Sequence, residues 1–298
     1  MRRVALALCL ALASCGGPPE DKSVATASPS EAPLAPPPPP VAAPPAPLLA
    51  PSAHVEPNPL QLPSAHITLE PHKRLFAPSD QMLASAKLGS TLVMYATVAL
   101  GLDGDDVIVE GRGGPSYKVH AAYVIPVPDE PRVRPGDAVV TEHAGVLHHA
   151  VVTKLQKDKV LVRYTDLDAR APETALKNAR FIRQVDGFVA GSYAAFQDGD
   201  VVRHVLLISS FREGGEKRWL ALGFGGAALK VDETALRTIP VKYAPKVGAT
   251  VWAENVGTMR RAVVTAAAVE EQGRFTVKFE RAGRPAVVGW GLVMPAGD

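Results

Sequence analysis

Three groups of side chains in this 298-residue chain could do chemistry. His143, His148 and His149 invite a zinc reading, because imidazole is a common ligand and two or three can converge. Adjacent strand residues point to opposite faces, however, so His148 and His149 cannot easily share a metal, and neither metal nor cofactor is expected. Arg260 and Arg261 could contact an anionic partner, such as the carboxylates of a cell-wall polymer or lipopolysaccharide phosphates, or could form a solvated edge that discourages strand pairing. The aromatics form the third group. Tyr164, Phe224 and Phe279 each read as the end of a strand, where they would floor a groove or plug a core, and Trp252 and Trp290 could meet on one surface or fill the interior.

Catalytic signatures do not emerge around these groups. Cys9 and Cys15 are the only cysteines, Ser192 and Ser209-Ser210 sit in no nucleophile motif, and Asp103, Asp105, Asp106, Asp166, Asp168, Asp198 and Asp200 fall mostly in turn-like contexts. Gly111-Arg112-Gly113-Gly114 and Gly223-Phe224-Gly225-Gly226 are glycine-rich, yet neither leads into the helix that a phosphate loop requires. The chain is expected to bind rather than to catalyse.

What must position these residues is an internal repeat. Gly136-x-x-Val139, Gly145, Ala150-Val151-Val152-Thr153 and Val160-x-Val162-Arg163-Tyr164 recur as Gly248-x-x-Val251, Gly257, Ala262-Val263-Val264-Thr265 and Phe275-x-Val277-Lys278-Phe279. Candidate first glycines at 89, 136, 191 and 248 give spacings of 47, 55 and 57, the size of one small barrel. Glu173-Thr174-Ala175-Leu176 and Glu233-Thr234-Ala235-Leu236 read as a second shared string, each a possible helical turn. The β-rich runs, the last of them a strand from Val287 to Val293, predict an all-β protein with four units at 84–131, 132–187, 188–243 and 244–298, the first divergent. Units this small are marginal alone, so neighbours are expected to pack together.

This grammar resembles Tudor, Agenet and related SH3-like barrels, most closely in the second and fourth units. The resemblance implies tandem small barrels serving as binding modules. In Tudor domains an aromatic cage takes methylated lysine or arginine. Where that family often carries aromatics, before Ala150 and Ala262, this chain has His148-His149 and Arg260-Arg261.

The N-terminal end supplies an address. Arg2 and Arg3, an apolar run from Val4 to Leu12 and then Ala13-Ser14-Cys15 have the layout of a secretory signal, and the run is too short to span a bilayer. Leu12-Ala13-Ser14-Cys15 resembles the lipobox of bacterial lipoproteins, which implies a signal peptide over 1–14, lipidation of Cys15 and attachment to the membrane through that lipid. Gly16 stands where lipoproteins kept at the inner membrane often have aspartate, which favours the outer membrane. Residues 15–83 then read as a linker: sixteen of the 28 prolines lie between Pro18 and Pro63, a composition that favours polyproline II and a spacer role. Loss of Arg2 and Arg3 takes the formal charge from +2 to zero, so no basic field draws the mature chain to nucleic acid. The reading is an envelope lipoprotein presenting tandem barrels to an envelope protein or cell-wall polymer, with a peptidoglycan tether as the alternative and a divergent hydrolase as the third.

Overall fold

The computed structural model describes residues 62–64, 69–79, 91–128, 132–166, 173–177, 180–267, 273–280 and 284–297. The signal segment, Cys15, nearly all of the proline-rich stretch, Gly89 and Asp168 lie outside the described residues. The described chain is all-β, with helical geometry confined to three short 3-10 turns.

Its twenty strands fall into four five-stranded barrels. The first barrel comprises β1 (Arg74–Pro78), β2 (Met94–Asp103), β3 (Asp106–Val109), β4 (Tyr117–His120) and β5 (Ile125–Pro126), and the second β6 (Ala138–His143), β7 (Val146–Gln156), β8 (Lys159–Tyr164), β9 (Thr174–Lys177) and β10 (Phe181–Arg183). The third holds β11 (Tyr193–Asp198), β12 (Val201–Glu213), β13 (Glu216–Leu222), β14 (Ala228–Asp232) and β15 (Leu236–Thr238), and the fourth β16 (Thr250–Asn255), β17 (Thr258–Ala267), β18 (Arg274–Phe279), β19 (Ala286–Gly289) and β20 (Val293–Pro295). In each, four antiparallel strands follow one another and the fifth returns to pair with the first, the order found in SH3-like barrels. One strand must serve both halves of such a barrel, and the second strand does so. It carries a bulge between Ala99 and Gly101, Val152 and Lys154, Leu207 and Ser209, and Val264 and Ala266, and an extra residue is what bends a strand.

Entry into every barrel is set by the same turn. Gly136, Gly191 and Gly248 have φ of 87°, 83° and 87°, and each donates its amide to the residue before the bulge, Val152, Leu207 or Val264. In the first barrel His72 does this work, at φ 66° and with its amide on Ala99. A turn with positive φ at its third position favours glycine, and the local pattern that glycine leaves in sequence is missing here. The opening strand of the first barrel is therefore β1, ahead of residue 84 and inside the stretch read as linker, with Leu92 to Tyr95 leading into its second strand.

Two other expectations are corrected by pairing. Thr174–Lys177 is the fourth strand of its barrel, held to β8 with Val162 opposite Thr174, whereas Glu233–Ala235 is a 3-10 turn before a fifth strand. The shared tetrapeptide thus has no common structure. The run Val287 to Val293, read as one strand, is broken at Trp290-Gly291 into β19 and β20, which pair with different partners.

The four barrels close on one another. Between the first and third, the Leu92 amide donates to the Gly226 carbonyl at 2.8 Å and the Ser209 hydroxyl to the Ala122 carbonyl at 2.6 Å. β12 of the third pairs with β17 of the fourth at Val202–Met259 and Arg203–Thr258. The fourth returns to the second, where the buried Arg274 guanidinium donates to the Tyr164 carbonyl. One apolar cluster joins Phe76 and Tyr123 of the first barrel, Leu147 and Ile182 of the second and Leu206 and Leu220 of the third, so much of the core lies between units.

Candidate functional site

Where all four barrels meet there is a cavity of about 370 Å³. Met94 comes from the first barrel, His148 and Asp166 from the second, Tyr193, His204 and Phe224 from the third, and Glu254 and Leu292 from the fourth. Its walls are mainly aliphatic, a common setting for a site that uses a few polar groups to orient a ligand. Among the described residues, Asp166 and Glu254 are the carboxylates that line it, and no lysine or arginine does so.

Both carboxylates are held by backbone. Asp166 Oδ2 accepts from the His149 amide at 3.0 Å and lies 3.2 Å from His148 Nδ1, while its Oδ1 is buried with no partner among the described residues. Glu254 Oε1 accepts from the Gly257 amide at 2.6 Å. The second barrel repeats that device, Glu142 Oε1 accepting from Gly145 at 2.5 Å. In both, the hairpin between first and second strands has positive φ at two successive residues, Ala144-Gly145 and Val256-Gly257, which fixes the Glu four places from the strand that follows.

Tyr193 and His204, which line the cavity, are stacked, with ring centres 4.8 Å apart and nearly parallel planes, and the His149 ring behind them is 3.7 Å from Tyr193 and 6.5 Å from His204. The Tyr193 hydroxyl donates to the Leu147 carbonyl at 3.2 Å, and His204 Nε2 donates to the Gly291 carbonyl at 2.9 Å. The stack therefore ties the second, third and fourth barrels together. Burial keeps these groups neutral: it pushes the His149 imidazole down to about 3, lowers His204, and raises the Tyr193 phenol well above its ordinary value. Nearby Tyr164 is likewise raised to about 12, first by burial and then by the Glu142 and Asp166 carboxylates.

The residues singled out from sequence divide between this site and the barrel interiors. His148 and Phe224 line the cavity, and His149 backs it. His148 and His149 leave β7 on different faces: His148 meets His143 and Tyr164, with ring centres 6.1 and 5.9 Å away, and His149 meets Tyr193. Tyr164 and Phe279 are buried in the cores of the second and fourth barrels. Phe224 is not their counterpart. Tyr164 lies opposite Ala150 and Phe279 opposite Ala262, and the matching place in the third barrel is Gly223, so Phe224 is displaced by one residue and stands 65% exposed. Trp252 packs on the cluster of Met259, Met294 and Ile239, and Trp290 on the separate core of the fourth barrel. Arg260 and Arg261 are exposed on β17, away from the residues that line the cavity.

Tyr193, His204, Asp166 and Glu254 were not singled out as binding residues by sequence reasoning. The paired Glu142-x-x-Gly145 and Glu254-x-x-Gly257 was a usable signal for the last of them.

No protein-family model and no curated protein matches this chain. Among solved structures it is similar to the four MBT repeats of Drosophila melanogaster Sfmbt in complex with peptide RHR(me)K VLR, at 9% sequence identity and a TM-score of 0.17, over 76% of this chain and 88% of that one.

Proposed function

We propose that this chain is a bacterial envelope lipoprotein, anchored through Cys15 at the outer membrane, that presents its four barrels as a non-catalytic binding module. The cavity at the junction carries the reading: it is the place to which all four units contribute, and its groups are apolar walls, aromatic faces and two carboxylates rather than a nucleophile with a base. Carboxylates with no lysine or arginine beside them among the described lining residues favour a partner group that joins an apolar body to a positive charge. Leu12-Ala13-Ser14-Cys15 and the proline-rich stretch supply anchor and spacer.

Two measurements test the two halves. Labelling with a palmitate analogue is expected to be abolished by Cys15→Ser, and label that survives removes the anchor. For the cavity, Phe224→Arg places a cation beside the carboxylates at an exposed position, where it leaves the core intact. Retention of envelope-extract material on the immobilised full chain is expected to fall about tenfold, the scale of one charge-assisted contact. Undiminished retention by a variant of unchanged thermal stability refutes ligand entry at the junction.

A further inference from the structure

A second concavity, of about 600 Å³, lies where the segment entering the second barrel meets the connection between the third and fourth. Among the described residues, Arg132, Arg134, Arg183 and Lys242 border it with a single carboxylate, Asp137. That carboxylate is committed. Asp137 is only 7% exposed, its Oδ1 is 3.1 Å from Lys242 Nζ, and its Oδ2 accepts from the Arg134 amide at 2.9 Å and lies 3.5 Å from Arg183 Nε. Burial alone would raise the Asp137 carboxyl, but the Arg134 amide, Lys242 and Arg183 more than offset this and hold it ionised. The guanidinium groups of Arg132 and Arg134 have no acidic partner among the described residues.

The hollow is also framed rigidly. The Asp137 amide donates back to the Arg134 carbonyl at 3.0 Å, closing the turn that Pro135 and Gly136 occupy, so the chain bearing Arg134 is fixed before any ligand arrives. Lys242 is placed from the other side by the Val241 amide on Asp186 Oδ1 at 2.9 Å and by its own ammonium, 5.9 Å from the centre of the Trp290 ring. Cations gathered around one occupied carboxylate repel one another, and a multivalent anion relieves that repulsion.

We propose that this hollow is an anion site that takes a phosphate-bearing ligand of charge −2 or greater. A phosphoryl group presents several oxygens to the planar forks of Arg132 and Arg134 while remaining in reach of Arg183 and Lys242, whereas a lone carboxylate brings one charge to a cluster that already holds one. The ligand is either a free linear polyphosphate or a phosphorylated sugar such as a glycolipid carries. This site shares no lining residue with the junction cavity, so it stands or falls separately.

Calorimetric titration of the full chain in detergent, with tripolyphosphate and with glucose 1-phosphate, tests the proposal. Saturable binding of one probe per chain is expected, weakened about tenfold or more in the Arg132→Gln, Arg134→Gln double variant. The Arg260→Gln, Arg261→Gln variant, which removes the same charge elsewhere, is expected to stay within about twofold. Binding of tripolyphosphate alone assigns a linear polyphosphate, and binding of both probes assigns a sugar phosphate. Absence of binding by either, or equal weakening in the two double variants, overturns the site.

Discussion

Gly291→Ala is expected to destabilise the protein by about 3 kcal/mol or more, measured as a shift of the urea midpoint at neutral pH. Gly291 has φ +77°, where any side chain adds strain, and its added Cβ would overlap the His149 imidazole. The imidazole cannot retreat, because Tyr193 covers its face at 3.7 Å. Gly248→Ala is the control. Its φ of +87° imposes similar backbone strain but the new Cβ meets nothing within 4 Å, so only about 1 kcal/mol is expected. Equal losses in the two variants would mean that the seat between second and fourth barrels contributes little beyond backbone conformation.

Acid is expected to loosen the same junction. An unfolded histidine titrates near 6.5, whereas folded His149 titrates at about 3 and folded His204 below its ordinary value. Between those limits the unfolded chain binds protons that the folded chain excludes, so stability is complete above about pH 6.5 and falls as the pH is lowered. Once the unfolded imidazole is protonated, His149 contributes a slope approaching about 1.4 kcal/mol per pH unit, and His204 adds to it in the same direction. Carboxylates with depressed values, such as Asp137 and Glu233, begin to add their own losses as the pH falls through their unfolded values, from about pH 5 downward. Urea midpoints between about pH 7 and about 5.5 therefore isolate the histidines. His204→Gln, which keeps a donor for the Gly291 carbonyl, is expected to lower the slope, and an unchanged slope would refute the assignment.

The barrel repeat was legible because backbone requirements write themselves into sequence. Gly136 and Gly248 mark the entry turn, Gly145 and Gly257 the hairpin, and Ala-Val-Val-Thr the strand that bends. Legibility failed where another residue met the same requirement. His72 takes a glycine's conformation without a glycine's signature, which hid the opening strand of the first barrel. It failed again at Phe224, since a one-residue offset from Tyr164 and Phe279 is invisible without pairing, yet it moves a ring from core to surface. The cavity was hidden for a different reason. Its members, Asp166, Tyr193, His204 and Glu254, come from three barrels and converge only after the units pack, an arrangement that no local pattern encodes.

The return of the last barrel onto the second has a bearing on how the chain reaches its native state. Arg274 and Tyr164 are 110 residues apart, so their contact forms only once the C-terminal unit has been made. Until then the second barrel lacks its cover, and the His149 ring, an ordinary titrating imidazole while exposed, has no seat. Long-range closure of this kind slows the final step of folding and leaves a partly assembled intermediate open to proteases, so a chain emerging N-terminus first should become resistant all at once, when its fourth barrel docks, rather than barrel by barrel.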